Sequence, residues 1–239
     1  MPSPVLLLHG SGPGTTGAAW APLRAALEPR FEVIAPDLLG FGASPPPSGS
    51  LREAWTAQAA ALVDELDAPC AVVGNSAGGA IALSLAHARP GKITRVVAVG
   101  SMGHPMTLPE GLDALWTPAD PQTIVELISP GPAAPEAVEA RRAAMEAQPH
   151  YPELFPPPRQ RWVDDLSLSP EELAAIDIPV LLIHGSADRI VPLRDGALAL
   201  LDALPDARAH IFGGAGHGTP LERTAEFNRL VTSFLETDR

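Results

Sequence analysis

Short apolar runs rich in β-branched residues recur along the chain and alternate with longer helical patterns. The runs predict strands at Val5–Leu8, Phe31–Ala35, Ala71–Val73, Thr94–Val99, Val180–Ile183 and Ala209–Phe212. Helical spacing of apolar residues predicts helices at Ala18–Leu27, Leu51–Leu66, Ala77–Ala88, Leu193–Leu204 and Thr224–Leu235. A strand that is apolar at every position is covered on both faces, and strand–helix alternation covers it with crossover helices. The chain is therefore expected to form an α/β fold around a mostly or wholly parallel sheet of about six strands. Ligands of such sheets bind beyond the carboxyl ends of the strands, so the loops that follow strands are where chemistry is sought.

One region interrupts the alternation. Residues 104–170 carry no strand pattern and hold thirteen of the 28 prolines. Short helices are expected there at Leu112–Trp116, Thr123–Ile128 and Glu136–Ala147, between proline breaks. The region reads as a helical cap inserted between two strands of a single domain spanning 1–239, roofing a pocket over the strand ends. Met102, Trp116, Phe155 and Trp162 are candidates for its lining.

Composition narrows the function classes. A net charge of −12 repels phosphate backbones and anionic lipid, which argues against nucleic acid and membrane surfaces as partners. No run approaches the ~20 apolar residues of a spanning helix, and the N-terminus has no basic region of a signal peptide. The single cysteine, Cys70, excludes an intramolecular disulfide and reads as a buried thiol. These features predict a cytoplasmic protein acting on a small molecule; a homo-oligomer stays open.

Four loops carry the chemistry. Val72-Val73 runs into Gly74-Asn75-Ser76-Ala77-Gly78-Gly79 and then directly into a helical pattern. A serine at such a strand-to-helix turn is held in a strained conformation with its hydroxyl exposed, the glycines allowing close backbone approach. The loop His9-Gly10-Ser11-Gly12-Pro13-Gly14 follows the first strand and lacks the Gly-Lys-Ser/Thr of a phosphate loop. His9 reads as a structural residue there. Asp188 follows the fifth strand in His184-Gly185-Ser186-Ala187-Asp188, and alone could equally be a turn residue. His217 follows the last strand in Gly213-Gly214-Ala215-Gly216-His217-Gly218. A serine hydroxyl needs an imidazole to take its proton, and the imidazole needs a carboxylate to fix its tautomer. The order Ser76, Asp188, His217 supplies these three parts as nucleophile, acid and base. The backbone N–H groups of Ser11 and Ala77 are the expected oxyanion donors. Other acids fit less well. Glu110 and Asp113 come too late after the fourth strand, Asp195 should face solvent, and Asp37 should hold a turn. No metal, nucleotide or organic cofactor is implied.

His9-Gly10, Asp37-x-x-Gly40-x-Gly42-x-Ser44, Gly74-x-Ser76-x-Gly78-Gly79, His184-Gly185-x-x-Asp188 and Gly216-His217 together resemble the α/β-hydrolase fold over essentially the whole chain. Within it the sequence is most similar to the meta-cleavage-product hydrolases, through His9–Gly14, Gly74-Asn75-Ser76, Asp188–Leu193 and Glu226–Val231. That resemblance implies cleavage of a carbon–carbon bond in a 2-hydroxy-6-oxo-dienoate. It implies that Asn75 contacts substrate and that Arg141, or its neighbour Arg142, pairs with the substrate carboxylate. A solvated helix-face arginine is the competing reading. The chain departs from the family in having Gly218 where a tryptophan usually follows the histidine, in Thr15–Trp20, and in lacking an N-terminal hairpin. A carboxylesterase or lactonase acting on small acyl compounds is the alternative. A ligand-binding receptor of the same fold is a further alternative, against which the complete triad argues.

Overall fold

The computed structural model describes residues 2–42, 44–116, 120–148 and 150–237, with Trp116 described through its backbone alone. Among them six strands form one sheet: β1 Ser3–Leu8, β2 Phe31–Ile34, β3 Cys70–Asn75, β4 Ile93–Val99, β5 Val180–Gly185 and β6 Ala207–Phe212. Their order is β2-β1-β3-β4-β5-β6 and every pairing is parallel. The wholly parallel six-stranded sheet agrees with the sequence reading.

The period of two along β1 sorts its side chains between two cores. Leu6 and Leu8 join Trp55, Val72, Ile81 and Leu83 on one face. Val5 and Leu7 join Val73, Ile183, Phe227 and Val231 on the other. The helices follow in chain order: α1 Ala21–Leu27, α2 Leu51–Asp64, α3 Ala77–Ala88, α4 Leu112–Trp116, α5 Pro121–Ile128, α6 Pro135–Glu146, α7 Tyr151–Leu154, α8 Gln160–Leu166, α9 Pro170–Ala174, α10 Ala199–Ala203, α11 Thr219–Glu222 and α12 Thr224–Glu236. α2 and α3 contribute to the first core, α1 and α12 to the second. No helix among the described residues is long and apolar enough to cross a membrane.

Between β4 and β5 the chain is helical, as expected, but richer in helices than the proline pattern suggested. Pro121, Pro135 and Pro170 open helices α5, α6 and α9. A proline in the first turn loses no hydrogen bond and brings φ already set, so residues read as breaks are starts. The expected helix Leu193–Leu204 is also modified: Arg194–Leu198 forms a π-turn ahead of α10. A Cβ at Gly196, inside that turn, would lie 2.7 Å from His184 Cε1 and from Val191 Cγ1.

The roof is tied down on two sides. Phe41, after β2, and Trp55, in α2, pack with Tyr151, Phe155 and Trp162 of the roof at centroid separations of 5.5–6.3 Å. On the other side, buried Gln148 accepts from Gly14 N (2.7 Å) and donates to Thr15 O (2.6 Å). Ala144 crowds Gly14, which has φ +77°; a Cβ there would lie 3.0 Å from Ala144 Cβ.

Candidate active site

Ser76 ends β3 and precedes α3 with φ 55°, ψ −119°, the only described non-glycine residue at positive φ. Such a backbone costs of order 1–3 kcal/mol and persists only where its surroundings enforce it. The enforcement is visible. Ser76 N donates to Val99 O at 2.8 Å. A Cβ at Gly74 would lie 2.1 Å from Gly78 O, and one at Gly78 would lie 2.3 Å from Leu8 O and 2.5 Å from His9 O. Glycine is thus required at both flanks of the turn, and a Cβ at Gly79 would meet Ser101 Oγ at 2.2 Å.

Parallel pairing of β5 and β6 brings the loops behind them together. His217 Nδ1 and Asp188 Oδ2 are 2.7 Å apart. The other carboxylate oxygen accepts from Ile190 N at 2.8 Å and Val191 N at 2.9 Å. The Asp188 side chain is 1% exposed. Burial pushes its carboxyl up, but His217, His184 and the Val191 N–H outweigh burial and hold it below the ordinary aspartate range. As a carboxylate, Asp188 accepts from His217 Nδ1–H, which leaves Nε2 of a neutral imidazole free to take a proton.

Two residues beside this pair have no role that the sequence alone assigns. Gly100, after β4, has φ +48°, and a Cβ there would lie 3.2 Å from His217 Nδ1 and 3.3 Å from Asp188 Oδ2. His184, fully buried in β5, places Nε2 2.9 Å from Val191 O and 3.4 Å from Asp188 Oδ2. Both facing atoms are acceptors, so Nε2 carries the proton. Burial keeps this imidazole below the ordinary histidine range. Positive φ and cross-strand neighbours carry no local sequence signal; the β4–β5 register reveals both.

Ser76, Asn75 and His217 line a cavity of about 670 Å³. Gly10 and Ser11 form its wall beside the serine: a Cβ at Gly10 would lie 3.1 Å from Ser76 Cβ. Tyr151 Oη donates to Ser11 O at 3.0 Å. Asn75 is held by its Nδ2 bond to Val99 O, 3.0 Å. Arg141, on α6, reaches Pro13 O at 2.7 Å and also lines the cavity. No described carboxylate pairs with it, and burial holds its guanidinium below the usual arginine range. Arg142 points elsewhere, to an exposed contact with Glu139.

The sequence matches the alpha/beta hydrolase family over residues 5–230. The chain belongs to that family. It is 38% identical to the 2-hydroxymuconate semialdehyde hydrolase of Pseudomonas sp. strain CF600, over 97% of this chain and 86% of that one. It is 36% identical to the 2-hydroxy-6-oxo-2,4-heptadienoate hydrolase of Pseudomonas putida strain F1, over 99% and 90%. Among solved structures, a meta-cleavage product hydrolase from Pseudomonas fluorescens IP01 superposes with TM-score 0.86 at 33% identity, covering 97% of this chain and 90% of that one. The protein is a hydrolase, with meta-cleavage-product hydrolases as its relatives.

His9 donates from Nδ1 to Gly10 O (2.8 Å) and accepts at Nε2 from Leu38 N (3.0 Å), so both nitrogens are committed to holding loops. Asp37 accepts from Gly17 N at 2.7 Å, tying the loops after β1 and β2. Asp195 is exposed. Asp113 does face the cavity, through an ion pair with Arg159 rather than with a histidine. Met102, Phe155 and Trp162 line the cavity; the Trp116 side chain lies outside the described residues. Gly218 receives the roof: its N–H donates to Ile128 O at 2.8 Å, and a Cβ would lie 2.8 Å from Ile128 Cγ2. Cys70 is buried and free, and burial pushes its thiol up to about 11.

Proposed function

We propose that this hydrolase cleaves the C5–C6 bond of a 2-hydroxy-6-oxo-dienoate, with Ser76 as nucleophile, His217 as base and then acid, and Asp188 as its orienter. The observation that carries the substrate class is Arg141: a guanidinium without a carboxylate partner among the described residues, in the cavity that Ser76 and His217 line. A guanidinium matches a carboxylate bidentately. Asn75 stands beside the nucleophile as a further substrate contact.

The steps follow from the bonds. The substrate's 2-hydroxyl proton moves to C5, giving a 2-oxo-3-ene whose C6 carbonyl is electrophilic. Ser76 Oγ attacks C6 as His217 Nε2 takes its proton. The oxyanion is held by the N–H groups of Ser11 and Ala77, which flank Ser76 on the β1 loop and the first turn of α3; one such donor is typically worth ~3 kcal/mol. The C5–C6 pair then leaves, delocalises onto the 2-oxygen and accepts the proton from His217. Water, deprotonated by His217, hydrolyses the acyl-Ser76. One water is consumed and two acids form, a 2-hydroxypenta-2,4-dienoate and the acid derived from C6. With a single, buried cysteine the fold requires no disulfide and hence no oxidising compartment, and we assign the enzyme to the cytoplasm.

The test is loss of dienoate absorbance, run beside a nitrophenyl ester. Wild type should consume both. Arg141→Gln should raise KM for the dienoate by about tenfold or more, as expected for a lost charge-assisted bond, while ester turnover changes little. Brisk ester turnover with no dienoate decay would transfer the assignment to a carboxylesterase. Equal dienoate KM in Arg141→Gln would remove the carboxylate contact.

A further inference from the structure

The same cavity contains a second guanidinium, and it is already matched. Arg159 stands at the start of α8 and Asp113 lies in α4; both line the cavity wall. Arg159 Nη1 lies 2.5 Å from Asp113 Oδ1 and also reaches Asp113 O at 3.3 Å. Arg159 N donates to Asp113 Oδ2 at 3.3 Å. The arginine side chain is 15% exposed and the aspartate 37%, so the carboxylate is the more open half of the pair. Around them the wall is apolar: Leu108, Leu112, Val163 and Ile190 line the cavity and belong to one packed cluster under the roof.

The charges facing this space can be enumerated. Arg141 borders the loop after β1 and lacks a carboxylate partner among the described residues. Arg159 is bound by Asp113. Glu222 also lines the cavity, its carboxylate accepting from Gly216 N at 3.1 Å. The histidines are His217, paired with Asp188, and His9, whose nitrogens are both engaged. A substrate with one carboxylate can be met by Arg141. A second carboxylate at the far end of the chain would find a neutralised arginine fronted by an anion in an apolar wall. Like charges in such a setting are strongly disfavoured.

We propose that Asp113 restricts this site to dienoates bearing a single carboxylate, excluding those whose C6 substituent ends in a second one. The Asp113–Arg159 pair is then a specificity device: among the described residues it removes the one other arginine of the cavity that a dicarboxylate could use and replaces it with repulsion. The proposal rests on the dienoate reading above, and the experiment separates the two.

Three substrates are compared on wild type: 2-hydroxy-6-oxohepta-2,4-dienoate, 2-hydroxy-6-oxonona-2,4-diene-1,9-dioate, and the methyl ester of the latter at its C9 carboxyl. Dioate and ester match closely in length and differ in charge. The expected result is a kcat/KM for the dioate about tenfold or more below that of the ester, tenfold being about 1.4 kcal/mol of like-charge repulsion. In Asp113→Asn, with the counter-charge of Arg159 removed, the two should converge. Asp113→Ser removes the same charge should the asparagine variant melt early, and the wild-type ratio needs no variant. Equal turnover of dioate and ester by wild type, whether brisk or poor, overturns the proposal. So does a ratio unchanged in both Asp113 variants. Failure of all three compounds with wild type instead overturns the dienoate reading itself.

Discussion

Replacing Asp188 by asparagine isolates the electronic role of the acid, because the local bonding dictates how the amide must sit. Two backbone donors, Ile190 N and Val191 N, converge on Oδ1 at 2.8 and 2.9 Å. An asparagine keeps its carbonyl oxygen there, since the opposite orientation would set an NH₂ against two N–H groups. Its NH₂ is then aimed at His217 Nδ1. The imidazole must accept at Nδ1 and carry its proton on Nε2, the atom that has to receive the Ser76 proton. The equivalent change in a serine protease lowers kcat by about 10⁴, which corresponds to roughly 5.5 kcal/mol of barrier. The fold should survive, because both backbone bonds are retained. The assay is nitrophenyl-ester and dienoate turnover at neutral pH beside a thermal melt. A loss of kcat below tenfold in a folded Asp188→Asn protein would refute the assignment of Asp188 as the residue that sets the histidine tautomer.

Three further outcomes are expected. Gly78→Ala should abolish folding or stability, since its Cβ would press within 2.5 Å of two backbone oxygens of the β1 strand and loop; soluble, fully active protein would contradict the tight-turn account. Gly218→Ala should destabilise by about 1–3 kcal/mol, as overpacking does, and raise KM, because its Cβ meets Ile128 Cγ2 and Ser129 Oγ of the roof; an unchanged melt and KM would show that the roof is not seated there. His9 and His184 are both held below the ordinary histidine range by burial. The unfolded chain therefore binds protons on them near pH 6.5 that the folded chain refuses. Their contribution is present above that pH and lost as pH falls below it, with a slope of at most about 1.4 kcal/mol per pH unit for each group. Melting at pH 7 and pH 5 should show this loss, and His184→Gln should flatten it.

Much of this architecture is legible in local sequence. The serine turn, the acid and the histidine each occupy a short segment behind an apolar strand, and the parallel sheet follows from strands that are apolar on both faces. What was not legible depends on neighbours distant in sequence. Gly100 and His184 matter because β4 and β5 lie side by side behind the Asp188–His217 pair. Gln148, which clasps the loop after β1, lies far from it in sequence. The expected roof helices correspond to α4, α5 and α6, and the unexpected ones are α7, α8 and α9; Pro152 and Pro170 lie in the first turns of α7 and α9 instead of breaking a helix. Arg141 and Arg142 could not be told apart by sequence; adjacent helical positions differ by about 100°, and that rotation sends one into the cavity and the other to Glu139.

Everything proposed for this site depends on Ser76 carrying the cleavage of a dienoate carbon–carbon bond. Its most direct test is single-turnover decay of 2-hydroxy-6-oxohepta-2,4-dienoate with excess enzyme, comparing wild type with Ser76→Ala and identifying products. Wild type should give 2-hydroxypenta-2,4-dienoate and acetate in equal amounts, and Ser76→Ala should hold bound but uncleaved substrate. Equal rates of product release from the two proteins would contradict it.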